Sequence, residues 1–246
     1  MSTEPIYRAT IDCVTRRFTG RKDALEHLDI GSGSGDLVRL MKEHFDTISA
    51  CCDYTDELLS LPDQNVDVID LNRAERLPYE DNRFDLVTAT EVIEHLEDFR
   101  KLFREAHRVL KPRGLLVVST PNILNINSRL RNLWFGFAEL MGPLPVHERA
   151  KESCAGHISP VSPFYIMHGL YEATFRDVTV NVDRYQRSGM AKLVFLWIPL
   201  RLMGMKIWRR EVAKYKTIDP SNRDLVKQLN SLPLLLGRTV ITSAVK

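Results

Sequence analysis

Cysteine is scarce in this chain of 246 residues: Cys13, Cys51, Cys52 and Cys154 are the only four, and their spacing makes no disulfide framework. Without such staples the fold must rest on its apolar core, and a reducing cytoplasm is the expected setting. Cys51 and Cys52, adjacent in a β-rich run, are expected in that core. Long apolar runs are missing too. In the stretch 189–208, Lys192, Arg201 and Lys206 interrupt the sequence, and the longest uncharged run, 193–200, falls far short of the ~20 residues a bilayer span requires. The first ten residues carry Glu4 and Arg8 and no apolar segment, so no secretory leader is expected. Charge of one sign is also lacking. Basic residues number 34 and acidic residues 32, a net +2, and no diffuse basic face points to nucleic acid as a partner. Repeats and low-complexity tracts are absent. What remains is enough chain for one α/β domain with a sizeable core.

The most informative segment present is Leu28-Asp29-Ile30-Gly31-Ser32-Gly33-Ser34-Gly35-Asp36. An apolar strand runs into three alternating glycines that open a helix. Glycine permits positive φ and lets the backbone approach a ligand that a Cβ would block, and N–H groups at the helix start add polar contacts. The spacing is G-x-G-x-G, and Asp36 stands where a dinucleotide fingerprint needs its third glycine. That disfavours a pyrophosphate, and with it a NAD-dependent oxidoreductase. A β-rich run over 47–52 ends in Asp53, about 20 residues past the loop, where nucleotide-binding α/β units place an acid on ribose hydroxyls. A third strand ends in Asp70 and Leu71.

Hydrophobic periodicity predicts strands near 25–31, 47–53, 65–71, 84–90 and 114–120, with helices near 35–45, 55–61 and 98–110. Leu37, Leu40, Met41 and Phe45 share one helical face, and Leu102, Phe103, Ala106, Val109 and Leu110 share another. A helix over 163–173 with Ser162 as N-cap follows, then strands near 176–183 and 238–245. Apolar strands alternating with amphipathic helices imply an α/β fold whose parallel sheet is covered on both faces.

The ordered set of the glycine loop, Asp53, Asp70, Arg76-Leu77-Pro78-Tyr79-Glu80-Asp81-Asn82-Arg83-Phe84-Asp85-Leu86-Val87, Glu91-Val92-Ile93-Glu94-His95-Leu96 and Leu110-Lys111-Pro112-Arg113-Gly114-Leu115-Leu116-Val117-Val118 resembles the class I S-adenosylmethionine (AdoMet)-dependent methyltransferases. The likeness covers residues 25–122 closely and is weaker beyond. It implies a Rossmann-like, seven-stranded, mostly parallel sheet with helices on both faces and the last strand antiparallel. It also implies AdoMet as cofactor: Gly31, Gly33 and Gly35 against the methionine part, Asp53 on the ribose, Asp70 and Leu71 at the adenine, Glu91 walling the pocket, and Asp29 orienting the loop or meeting the amino group. A carboxylate suits the ribose because it can accept two charge-assisted hydrogen bonds from a vicinal diol. A strand-end turn is the plainer role for Asp53 or Asp70.

Glu91, Glu94 and His95 stand at i, i+3 and i+4, which on one helical turn would share a face. The E-x-x-E-H run is similar to that of small-RNA 2′-O-methyltransferases and ubiquinone-pathway O-methyltransferases, where a further histidine completes a metal site. His157, in Gly156-His157-Ile158-Ser159-Pro160, is the candidate here, although the fuller histidine-rich signature of the small-RNA enzymes is absent. Glu91, Glu94, His95 and His157 would offer the mixed oxygen and nitrogen ligation that suits Mg²⁺ or Mn²⁺. Without a metal, Glu91, His95 and His157 are the candidate catalytic acids and bases. His27, His44 and His107 are expected at the surface; His147 and His168 carry no assignment.

Two insertions interrupt the single domain of residues 1–246. The first, 123–160, has Leu130, Leu133, Trp134, Phe137, Leu140 and Met141 at helical spacing beside Arg129 and Arg131, and is expected to cap the active site. The second, 184–237, holds the apolar stretch, bent by Pro199, and then six basic residues against one acid over 201–216, a local +5. That composition fits an interfacial helix on anionic lipid, or else a helical lid or subunit contact. The function expected is AdoMet-dependent O-methylation of a small, lipid-linked or glycan-type acceptor by a cytoplasmic protein peripheral to the inner face of a membrane. Methylation of RNA or a soluble metabolite, and a non-catalytic AdoMet-binding protein, are the alternatives.

Overall fold

The computed structural model describes residues 4–144 and 156–246. Seven strands form one sheet: β1 (Leu25–Ile30), β2 (Thr47–Asp53), β3 (Val66–Val68), β4 (Phe84–Thr90), β5 (Leu110–Pro121), β6 (Arg176–Val182) and β7 (Thr239–Val245), in the order β3-β2-β1-β4-β5-β7-β6. The pairs β1–β2, β1–β4, β2–β3 and β4–β5 are parallel, whereas β7 runs antiparallel to both β5 and β6. Strand order reverses between β1 and β4, and a crevice at such a switch point is where open α/β sheets bind ligands.

The central strand β4 is buried along its whole length, as a strand covered on both faces must be. One covering layer is α3 (Phe99–Val109) with α5 (Pro163–Glu172). Phe99, Leu102, Phe103, Ala106 and Val109 of α3 turn inward, and Asp98 caps the helix by accepting from the Arg100 and Lys101 N–H groups. Ser162 occupies the N-cap of α5 as expected, but its hydroxyl caps no N–H there, and Pro163 opens the helix. The other layer is α1 (Glu4–Phe18) and α2 (Asp36–His44), which pack Ile6, Ile11, Val14, Leu37 and Met41 against Leu25, Leu86, Val117 and Ile241. The sequence reading did not anticipate α1.

Between β6 and β7 lie α6 (Arg187–Arg210), a π-helical turn (Glu211–Tyr215), α7 (Arg223–Gln228) and α8 (Leu232–Leu236). After β5 comes α4 (Ile126–Phe135), capped by Asn125, whose side chain accepts from Ser128 N.

The helix expected over 55–61 does not form. Thr55 makes a local turn with Glu57 N, and Ser60 N donates to Ser34 O of the glycine loop, so the backbone is spent on holding that loop instead of on a helix. Leu133, Trp134 and Leu140, read as part of a helical stripe, are exposed. Cys51 and Cys52 are buried as expected. Cys154 and His147 lie outside the described residues.

Candidate active site

The three loop glycines all adopt positive φ, +71° at Gly31, +50° at Gly33 and +81° at Gly35. Two are also enforced by packing. A Cβ at Gly31 would overlap a Val92 methyl, and one at Gly35 would come within 2.7 Å of Leu61 Cδ1 and 2.9 Å of Leu59 Cδ1. Gly33 differs, because nothing lies within 4 Å of where its Cβ would be; that side of the loop is open to a ligand.

Asp53, at the carboxyl end of β2, is buried and straddles two N–H groups, with Oδ2 accepting from Gly33 at 2.8 Å and Oδ1 from Tyr54 at 2.7 Å. One acid thus fixes the loop and presents its remaining lone pairs beside it. Asp70 lies past β3, exposed, accepting from Asn72 N at 3.1 Å and pairing with Arg73 at 3.4 Å; Leu71 beside it is half-buried. Asn72, which the sequence reading passed over, ties this corner to the segment 95–97. Its side chain donates to His95 O and accepts from Glu97 N.

Asp29 is sealed beneath the loop at the end of a buried polar chain. Thr88 Oγ1 donates to Asp29 at 2.6 Å, His27 Nε2 lies 2.8 Å from Thr88 Oγ1, and His27 Nδ1 lies 3.1 Å from Ser49 Oγ. Burial lowers His27 to about 3 and raises Asp29 to about 7. A neutral His27 can donate to Thr88 while accepting from Ser49, so each hydroxyl proton points toward Asp29. His27 was expected at the surface; it is fully buried, because its strand neighbours supply both partners an imidazole needs. His107 is half-buried, against Thr174 and the Phe175 ring. His44 is exposed as expected.

Glu91, Glu94 and His95 do not share a helical turn. Glu91 is the residue after β4 and has φ +57°; its N–H is held by Ser119 O and Ser119 Oγ, and Ser119 Oγ returns a hydrogen bond to Glu91 Oε1 at 3.2 Å. The 3-10 turn Ile93–His95 begins only after this corner. Ser119, another residue the sequence reading passed over, was detectable as the first polar residue after the apolar run 115–118 toward the carboxyl end of β5.

Glu94, His95 and His157 do converge. One ligand atom from each lies within 4.8 Å of the others; Glu91 is outside this group. Ser159 draws His157 in, since its N–H donates to Glu94 O at 2.9 Å and its hydroxyl to Leu96 O. The His95 and His157 rings meet edge to face at 5.0 Å. His95 Nδ1 lies 3.2 Å from Gly156 O; a carbonyl only accepts, so Nδ1 carries the proton and Nε2 keeps a free lone pair. The Glu94 carboxylate is fully buried, and neither oxygen has a hydrogen-bond partner. Burial first, and the charge of Glu91 second, raise Glu94 well above the ordinary carboxyl range. Burial likewise raises Glu91, against the Ser119 hydrogen bond. His157 Nδ1 is buried and unpartnered too, and burial, with His95 next, lowers that imidazole. A buried, unpaired carboxyl beside two imidazole lone pairs either keeps a proton or takes a cation. The donor set therefore fits a divalent ion.

Residues 28–118 match the family described as a methyltransferase domain. Over that segment the chain is similar to the methyltransferase domain of class I AdoMet-dependent enzymes. A ubiquinone/menaquinone biosynthesis C-methyltransferase of Cronobacter sakazakii is 34% identical over 124 residues, covering 45% of this chain and 46% of that protein. The same-named protein of Rickettsia prowazekii is 38% identical over 104 residues, covering 37% of this chain and 42% of its own length. The matched segment thus spans less than half of these curated relatives. A SAM-dependent methyltransferase structure from Archaeoglobus fulgidus superposes with TM-score 0.60 at 17% identity, over 100% of this chain and 95% of that one. Phosphoethanolamine N-methyltransferase 2 of Haemonchus contortus, solved with S-adenosyl-L-methionine, gives 0.53 at 19% identity over 97% of this chain and 52% of that one. At such identities these structures establish the fold alone. The fold agrees with the sheet expected from the sequence, β7 antiparallel included.

Proposed function

We propose that this protein transfers a methyl group from AdoMet to a small, lipid-linked acceptor whose hydroxyl is activated at Glu94, His95 and His157. The observation that carries the reading is that two sets of groups follow the carboxyl ends of the adjoining strands β2, β1 and β4: the open Gly33 face with Asp53, and the donor cluster of Glu94 and His95 with His157. The sulfonium methyl needs little activation, so the protein's work is to align acceptor, methyl and sulfur and to keep water out. A base in the cluster takes the hydroxyl proton, the oxyanion attacks the methyl carbon to form the O–C bond, and the sulfur leaves with the C–S bonding pair as a neutral thioether. In a conjugated ring the same deprotonation enriches a ring carbon, so one cluster serves either acceptor atom. The Cronobacter and Rickettsia relatives, named for ubiquinone/menaquinone biosynthesis, support an amphiphilic acceptor.

Glu94, His95 and His157 would hold Mg²⁺ or Mn²⁺, which when bound would lower the pKa of an acceptor hydroxyl as a Lewis acid. Among the described residues no helix is long and apolar enough to cross a membrane.

Titration calorimetry with AdoMet and S-adenosylhomocysteine tests the cofactor assignment. Asp53→Ala removes both the ribose acceptor and the anchor of Gly33 N, and should weaken binding by about 1.5–3 kcal/mol. Unchanged affinity would remove Asp53 from the site; no binding by the wild type would leave a scaffold with this fold.

A further inference from the structure

Helix α6 uses only one of its sides to pack on the domain. Leu193, Leu196, Trp197 and Leu200 join Ile126 and Leu130 of α4 and Leu235 and Leu236 of α8 in a satellite core. On the opposite side Val194, Phe195, Ile198, Leu202 and Met205 recur at helical spacing and are exposed, Val194 by 75%, Phe195 by 82% and Ile198 by 68%. Scattered apolar residues at a surface are ordinary, whereas a contiguous stripe over roughly 17 Å of helix marks an interaction face. The helix continues through Pro199, whose missing N–H leaves the Phe195 carbonyl without its usual helical partner.

The stripe runs into a basic end. Arg201 and Lys206 flank it on either side and Arg209 closes it, with Arg210, Lys214 and Lys216 beyond and Glu211 the one acid. Among the described residues none of these six cations is in a salt bridge. Arg201 instead lies over the Trp197 ring at 4.8 Å, and Arg210 and Lys214 lie over Tyr215 at 5.7 and 5.3 Å. Aliphatic stems beside an apolar stripe with unpaired charged heads at its margins are the arrangement that lets Lys and Arg reach a polar boundary while their stems stay apolar. A second copy of the chain fits this face badly, since it would set +5 against +5. We propose that α6 docks the protein flat on an anionic phospholipid surface, with the Val194–Phe195–Ile198–Leu202 stripe at the acyl boundary and the 201–216 cations on headgroup phosphates. The docking is independent of which atom the domain methylates.

Vesicle flotation of the full chain tests this, comparing phosphatidylcholine containing phosphatidylserine with phosphatidylcholine alone. The wild type should float with the anionic vesicles at low salt and be released as salt rises. About 1 kcal/mol per basic residue at such a surface is about fivefold each, so the combined change Arg201→Gln, Lys206→Gln, Arg209→Gln and Arg210→Gln should lower vesicle affinity more than about tenfold even after screening. Val194→Ser with Ile198→Ser should weaken it with every charge intact. Should that pair perturb folding, Phe195→Trp reports the same contact in an otherwise intact protein, through a blue shift of its emission on anionic vesicles. A wild type that ignores anionic vesicles at low salt, or binds neutral ones equally well, overturns the proposal. So does a concentration-dependent dimer in sedimentation velocity that Ile198→Ser disperses, which would make a second copy the occupant.

Discussion

Replacing Asp29 by asparagine tests where the proton of the buried chain resides. In the unfolded chain an Asp titrates near 3.8, and burial lifts Asp29 to about 7 in the fold. Its contribution to stability is therefore complete below 3.8 and lost as pH rises through about 7, a loss of about 4 kcal/mol. His27 runs the other way. Burial takes it from 6.5 to about 3, so its contribution is complete above 6.5 and lost as pH falls toward 3, by about 5 kcal/mol. Between roughly pH 4 and 6.5 the unfolded chain holds one proton on His27 and the folded chain holds one on Asp29. The counts are equal, so the pair adds almost no slope to the wild-type curve. The asparagine of Asp29→Asn keeps an oxygen to accept from Thr88 but cannot ionise, which unmasks His27. Stability of Asp29→Asn relative to the wild type should rise by about 3 kcal/mol between pH 4 and 7, measured as urea unfolding free energies at each pH. Parallel curves over that range would refute the placement of the proton.

Gly31→Ala sets a Cβ against the Val92 methyl at φ +71°, so it should destabilise by about 1–3 kcal/mol and weaken AdoMet binding in calorimetry; the same change at exposed Gly20, where nothing lies within 4 Å, is the control for φ alone. For the donor cluster, electron paramagnetic resonance of added Mn²⁺ should show bound ion whose affinity Glu94→Gln and His157→Ala each lower at least about tenfold, since losing even an outer partner of a metal ligand costs that much. No bound Mn²⁺ in the wild type, with methyl transfer surviving EDTA, would leave the cluster to acid–base work.

The parts of the site legible in the sequence were those whose chemistry is local. Three alternating glycines can be read because positive φ is a property of single residues, and Asp53 because a strand's length sets where it ends. His157 was found as a residue but not as a geometry: Ser159 donating to Glu94 O and Leu96 O brings it home, and those partners are more than sixty positions apart. Glu91 misled for the opposite reason. Its spacing to Glu94 and His95 is helical, yet strand β5 supplies Ser119 to take its N–H, and a tertiary partner outweighs a local period. His27 was unreadable because its two hydroxyl partners come from neighbouring strands. Residues 55–61 have helical spacing but are recruited by the glycine loop, an instance of tertiary contact overriding propensity.

Glu91 holds a left-handed backbone, the conformation in which glycine or asparagine is at ease and a glutamate is not. A chain shaped only to persist would place glycine there and gain about 1 kcal/mol. On the proposed reading a long carboxylic acid stands in that corner for what its carboxyl does, and the turn after β4 is a place where stability is given up for chemistry. On that reading, libraries screened for thermal tolerance alone would drift toward glycine at position 91 and return sturdier proteins with weaker methyl transfer.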